Sequence, residues 1–192
     1  ELIEGYFMKK WKTIESNYLY KTPFGNLRKD KVELPNGVII NDYYLNEYSD
    51  WVNAIVLTKD KQLVLVKQYR HAAGDYFLEI PAGKIEQNET LEEGILREVR
   101  EETGYTTKRK PILLGEFMVN PATQTNKVIT YLIFDAVKTD DQNLDLTEDL
   151  SIILVNLNEM ESLIKSGRIN QLFTVSAYYI AKNQINEHFM KQ

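Results

Sequence analysis

The chain has 192 residues, enough for one domain with a substantial core or one domain and a small appendage. With 23 basic and 28 acidic side chains its formal net charge is -5, which offers no basic face to nucleic acid, and the lack of cysteine excludes disulfides and thiolate metal sites. No stretch approaches the ~18 consecutive apolar residues of a membrane span, and the start, ELIEGYFMKK, has no apolar run of signal-peptide length. These features read as a soluble cytoplasmic protein with neither a membrane nor a nucleic-acid partner. Glu1 in place of an initiator Met suggests a trimmed start.

Residues 1–50 are aromatic and turn-rich. Trp11, Tyr18, Tyr20, Phe24, Tyr43, Tyr44 and Tyr48 are interspersed with Pro23-Phe24-Gly25 and Pro35-Asn36-Gly37. Alternation in NYLYKT and KVELPNGVII predicts short antiparallel strands joined by those turns. A segment of this size buries no core alone, so it must pack on the main domain, residues 51–192, or on a second chain.

From Trp51 the pattern strengthens. Val52–Thr58 and Leu63–Gln68 read as strands around the turn Lys59-Asp60-Lys61, and Tyr76–Ile80 reads as a third strand leading into Pro81-Ala82-Gly83. A helix follows over Glu89–Thr103, capped by Thr90 or Asn88 and closed by Gly104. Pro111–Val119, Lys127–Val137 and Ser151–Leu157 read as further strands. Thr139–Leu150 is acidic and too long for a simple turn, which suggests a mobile loop with a functional part. Asn158 is positioned to cap a helix ending before Gly167, and Asn170–Phe189 reads as a last helix with Leu172, Val175, Tyr179 and Ile180 among its apolar residues. The interleaving implies an α/β (α+β) fold, an α/β/α sandwich around a mixed sheet preceded by a small antiparallel β segment.

The chemistry concentrates in the first helix. At about 100° per residue, Glu98, Glu101 and Glu102 share one narrow sector, bordering the apolar stripe of Leu91, Ile95 and Val99. Three neighbouring carboxylates at the negative end of a helix dipole repel one another, and a hard divalent cation relieves that repulsion. The alternative is a solvated Glu-rich face with Arg97 and Arg100 as its partners.

Gly83, Glu89, Arg97-Glu98-Val99, Glu101-Glu102, Gly104 and Tyr105 stand at the spacing of the Nudix box, which the run GKIEQNETLEEGILREVREETGY resembles at every defining position. Two further runs, Val66-Lys67-Gln68-Tyr69-Arg70 and LEIPAGKIE over residues 78–86, are similar to the lead-in of ADP-ribose pyrophosphatases, and Pro121 lies close to their diagnostic proline. The segment TEDLSIILVNLNEMESLIKSGRI looks like their acidic loop, strand and helix, so the likeness spans most of the chain from about residue 50. The loop after Pro121, ATQTN, departs from their glycine-rich form.

The resemblance implies a Mg2+- or Mn2+-dependent hydrolase of a nucleoside diphosphate sugar, with GDP-mannose or another sugar nucleotide as the alternative substrate and a non-catalytic sugar-nucleotide sensor as the alternative class. It implies metal ligands at Glu98, Glu101, Glu102, Glu148 and the Ala82 carbonyl, with catalytic work shared by Glu101, Glu102 and Glu148. Relatives often carry a Glu two residues before Glu148, where this chain has Leu146, so Glu148 and Asp149 remain the candidate bases. Glu89 and Arg97 are implied to brace the loop against the helix, and Gly83 to supply backbone freedom near the ion. Arg70 suits a phosphate held in bidentate fashion or a pair with Glu79, which itself suits a ribose hydroxyl. Trp11, Tyr18, Tyr20 and Trp51 are candidates to stack on the base. In relatives the N-terminal β segment exchanges between two subunits and reaches the partner's pocket, which implies a homodimer.

Overall fold

A computed structural model describes residues 9–190, whose contacts divide them into two compact units. The first comprises residues up to Ser49 together with Met118–Lys127. Strands β1 (Lys12–Thr22), β2 (Gly25–Glu33) and β3 (Ile39–Glu47) form an antiparallel sheet in that order. Its turns fall at the two proline-containing runs, and Gly37 N–H donates to Leu34 O across the second. Little of this unit is buried: among its described residues Val32, Leu45, Asp30 and Asn126 are, and Asp30 is satisfied by a two-pronged bond from Arg28 at 2.9 Å. Met118–Lys127 joins this unit through tertiary pairing, since Asn46 N–H donates to Thr123 O and Thr125 N–H to Asn46 O.

The second unit is built on a mixed sheet of β4 (Trp51–Thr58), β5 (Gln62–Arg70), β6 (Asp75–Glu79), β7 (Ala82–Lys84), β8 (Tyr105–Thr106), β9 (Ile112–Met118), β10 (Lys127–Lys138) and β11 (Leu150–Asn156). The main path runs β11-β5-β4-β10-β8, with β4 and β10 parallel and the other pairings antiparallel. Helices α1 (Leu91–Thr103), α2 (Met160–Lys165) and α3 (Leu172–Met190) complete it.

The apolar run of β4 explains the layering. Alternate side chains point to opposite faces, and nearly all are buried, so both faces must be covered. Val52, Ala54 and Val56 pack with Ile95 and Val99 of α1, whereas Ile55 and Leu57 pack with Ala177, Tyr178, Ala181 and Ile185 of α3. This is the expected α/β/α sandwich. At about 1.5–3 kcal/mol for each large apolar side chain buried, these two layers dominate the unit's stability.

Local chemistry sets the ends of α1. Thr90 Oγ1 accepts from Glu93 N–H, and the Glu93 carboxylate accepts from Thr90 N–H, forming a capping box. Asn88, the other expected cap, instead takes a left-handed φ of 70° in the lead-in. Gly104 ends the helix at φ 68°, donating its N–H to Arg100 O. The second helical segment differs from expectation. Asn156 rather than Asn158 is the cap, its side chain accepting from Asn158 N–H at the start of a 3-10 turn, Leu157–Glu159, that leads into α2. The strand ends one residue earlier than its apolar run suggests, which moves the first orphan N–H groups upstream. In α3 the buried face is Thr174, Ala177, Tyr178, Ala181 and Ile185, while Leu172, Tyr179 and Ile180 are exposed.

Candidate active site

The site is assembled where β6 hands the chain through Pro81 to β7 and then to α1. Pro81 has no N–H, and the exit of β6 is held from outside the sheet: Ile80 N–H donates to Thr174 Oγ1 of α3 at 3.0 Å. β7 then pairs with β4, matching Ala82 to Asn53 and Gly83 to Val52. This pairing sets Ala82 and Gly83 directly against the inner face of α1. Ala82 N–H donates to Glu102 Oε2 at 3.0 Å, and a Cβ on Gly83 would fall 2.0 Å from Glu98 Cδ. Gly83 is absent from the left-handed residues, so its role differs from the expected backbone freedom: it clears space for a carboxylate.

Glu98 and Glu102 are both buried, at 9% and 4% exposure, among the apolar residues of the helix. Burial is the main reason that Glu102 is pushed up to about 8, with Glu98 and Glu148 adding repulsion and the Ala82 N–H and Arg70 opposing it. Glu98 is raised as well, again mainly by burial, against the pull of Arg97 and with Glu101 and Glu148 adding to the rise. Burial, more than the neighbouring carboxylates, thus makes ionising these two acids costly in the absence of a cation.

Arg97 is the hub of the site's own cations. Its Nη1 donates to Glu98 Oε1 and Glu101 Oε2, each at 2.9 Å; its Nε and Nη2 fork onto Glu89; Nη2 also donates to Lys84 O at 2.9 Å. Burial works against its charge, but these carboxylates more than offset it and its pKa is raised. Glu89 Oε2 also accepts from Glu86 N–H, so the expected brace of loop against helix is present as a network. Gly94 lets the loop lie close, since a Cβ there would meet Ile85 at 2.8 Å.

A cavity of about 370 Å³ opens on this cluster, lined by Gly83, Arg97, Glu98, Glu101, Asp145 and Glu148 among others. Glu148 is fixed by a local turn: Asp145 N–H donates to Glu148 Oε2, and Glu148 N–H to Asp145 O, both at 2.9 Å. Leu146 is fully exposed and turned away. The structure therefore brings together Ala82, Glu98, Glu101, Glu102 and Glu148. Asp145 and Gln142 were not singled out from sequence, and only the acidity of their loop hinted at either.

The donor set tests the fit to a metal ion. Among the described residues no three acidic or histidine side chains already form a metal-ligand group, because Glu98 and Glu101 face Arg97 and Glu102 faces Ala82 N–H. All available donors are nonetheless hard oxygens, and two of the carboxylates are buried with raised pKa values. Those features suit a hard divalent cation and no soft one.

The remaining expected residues have partners of their own, and Arg70 also bears on Glu102. Arg70 pairs in a fork with buried Glu79, Nε to Oε1 at 2.8 Å and Nη2 to Oε2 at 2.6 Å, which is the second of its two expected roles. Trp51 packs edge-on against Phe173, ring centres 4.8 Å apart. Trp11, half exposed in the first unit, packs edge-on against Tyr43. His188 stacks on Phe134 in the core of the second unit.

Residues 48–173 match the NUDIX domain family, and residues 11–46 match the nucleoside diphosphate sugar hydrolase N-terminal domain. The chain belongs to the Nudix hydrolase family. It is 32% identical over 167 residues to a methanol dehydrogenase activator of Bacillus methanolicus, covering 86% of this chain and 89% of that one. It is 30% identical over 182 residues to an ADP-ribose pyrophosphatase of Bacillus subtilis (strain 168), covering 94% and 96%. A crystal structure of an ADP compounds hydrolase superposes with a TM-score of 0.82 over 96% of this chain and 98% of that chain, at 19% identity, a likeness of fold.

Proposed function

We propose that this protein hydrolyses the diphosphate of ADP-ribose or a related nucleoside diphosphate sugar, giving AMP and ribose 5-phosphate in the ADP-ribose case. The observation that carries this reading is the pair of buried carboxylates, Glu98 and Glu102, both raised mainly by burial and further by the charge of Glu148. The Bacillus subtilis relative's name and the N-terminal family match support the substrate class.

Glu98, Glu101, Glu102, Glu148 and the Ala82 carbonyl would hold Mg2+ or Mn2+. When bound, the ion offsets charge on the diphosphate oxygens and makes a bound water more acidic. Arg97 orients Glu98 and Glu101 through its shared Nη1. Glu148, one oxygen held by Asp145 N–H, takes the water's proton on its other oxygen as the water oxygen attacks phosphorus and the bridging P–O bond breaks. Asp149 is the neighbouring alternative for that base. Arg70 is positioned by Glu79 for a substrate phosphate, and Trp11 and Trp51 are the aromatic candidates for the base.

The test is turnover of a panel of sugar nucleotides, including ADP-ribose and GDP-mannose, with Mg2+ or Mn2+ and with excess chelator. Chelator-insensitive turnover would refute the metal role. Binding without turnover would favour a sensor, and a preference for GDP-mannose would move the substrate within the class. A homodimer is supported by β1, exposed along its whole length and bearing Ile14, Tyr18, Leu19 and Tyr20, with exposed Trp11 just before it, an apolar display that a second copy would cover. Light scattering giving a monomer at micromolar concentration would remove it.

A further inference from the structure

The last carbonyls of a helix lack intrahelical donors, and in α1 those of Glu101 and Glu102, with the cap carbonyl of Gly104, are met by the loop between β10 and β11. Thr139 N–H and Asp140 N–H donate to Gly104 O at 2.9 and 3.1 Å, and Asn143 N–H donates to Glu101 O at 2.8 Å. Arg100 pairs with Asp140 at 3.0 Å. Gln142 supplies the side-chain tie: its Nε2 donates to Glu102 O at 2.7 Å, with a weaker 3.5 Å contact to Leu150 O at the start of β11. One partly buried amide thus joins the helix that carries Glu98 and Glu102 to both ends of the short arc that carries Asp145 and Glu148. Backbone bonds near Gly104 fix only the loop's entry. Asn143 N–H gives the arc one backbone tie to the helix, at Glu101 O; beyond it, as far as Leu150, the arc holds itself by the Asp145–Glu148 turn, which does not reach the helix.

We propose that Gln142 is a positioning residue, which sets the placement of the Glu148 carboxylate relative to Glu98 and Glu102 by bridging the end of α1 to the start of β11. This rests on the reading above that Glu148 acts at the site. It also accounts for a loop of polar residues with little regular structure being held in one arrangement: the helix's unmet carbonyls serve as its template.

The test uses the full chain with Gln142→Leu, which keeps volume but removes the donor, and Gln142→Lys, which keeps a donor with comparable reach. Hydrogen exchange of the metal-free protein is read at the Asn143 amide and through residues 142–149, alongside kcat and KM for ADP-ribose. The expected result for Gln142→Leu is faster exchange confined to that arc, an unchanged melting temperature and a kcat lower by about tenfold to a hundredfold with KM within about twofold. Gln142→Lys should restore most of kcat. In a Glu148→Gln background Gln142→Leu should cost less than about twofold, because the group it positions is already disabled. Unchanged exchange, a loss of the same size in both backgrounds, or an effect on KM alone would overturn the proposal. Full activity of Glu148→Gln would overturn it too, while leaving the hydrolase assignment, judged by turnover itself, intact.

Discussion

Gly83 and Glu98 are in such close register that the space a methyl group would take at Gly83 is already filled by the Glu98 carboxylate, 2.0 Å away at Cδ. Because the obstructing atoms are the far end of a flexible side chain, Gly83→Ala should fold, with Glu98 swung out of the cluster. The expected outcome is a loss of kcat/KM of about tenfold to a hundredfold with a melting temperature near that of the parent. Kinetics and thermal melts on the same preparation check it; a large drop in melting temperature with full specific activity would refute it.

Glu102 yields a pH prediction with a definite sign. Its folded pKa, pushed up to about 8, exceeds the ordinary 4.5, so between those values the folded chain holds more protons than the unfolded chain. This group's contribution is therefore fully present below pH 4.5 and is lost as pH rises through about 8. In chelator, Glu102→Gln should flatten that part of the stability profile and melt higher than the parent at pH 8, although its hydrolysis falls by at least about a hundredfold. Added Mg2+ or Mn2+ should stabilise the parent at pH 8 and leave the variant nearly unmoved. Melts across pH in chelator and in metal would decide this, and equal stabilisation of both proteins by metal would count against Glu102 as a ligand.

A feature of this chain is legible in its sequence where its cause is local. Thr90, Gly104 and the spacing of Glu98, Glu101 and Glu102 act within one or two helical turns, so the helix, its caps and its acidic face follow from the residues alone. The unbroken apolar run of β4 likewise announces a strand covered on both sides. The clearance at Gly83 arises from β7 pairing with β4 beneath a helix that comes later, and no local pattern encodes it. The same holds for Met118–Lys127, joined to the first unit by bonds to Asn46, and for Gln142, whose partner carbonyl is 40 positions away. At Asn156 the miss was local: two asparagines flank the same turn, and only the end of β11 selects between them.

Thr90 gives the simplest stability test. It satisfies Glu93 N–H at the first turn of α1 and is itself exposed, so Thr90→Ala removes the cap without opening a cavity. A loss of about 1 kcal/mol is expected, with kinetic constants unchanged at temperatures well below the melt. Thr90→Ser should retain the cap and lie close to the parent. Denaturant midpoints for the three proteins would measure it, and an Ala variant as stable as the parent would mean that the capping box contributes nothing.

Arg97 distinguishes geometry from charge. Five donors in a planar fork let one guanidinium reach Glu89, Glu98, Glu101 and Lys84 O together, which a lysine ammonium at the same position does not reproduce. In Arg97→Lys the positive charge remains, yet the loop from Lys84 to Glu89 loses its tie to the helix. A cost of about 2–3 kcal/mol follows from several charge-assisted bonds that are lost and only partly replaced. For a chain of this length that corresponds to about 4–10 °C in melting temperature. Activity should fall further than stability accounts for, because Glu98 and Glu101 lose the shared Nη1 that orients them. If Arg97→Lys matched the parent in both melting temperature and kcat/KM, charge alone would suffice, and the fork would have no part in organising the acids.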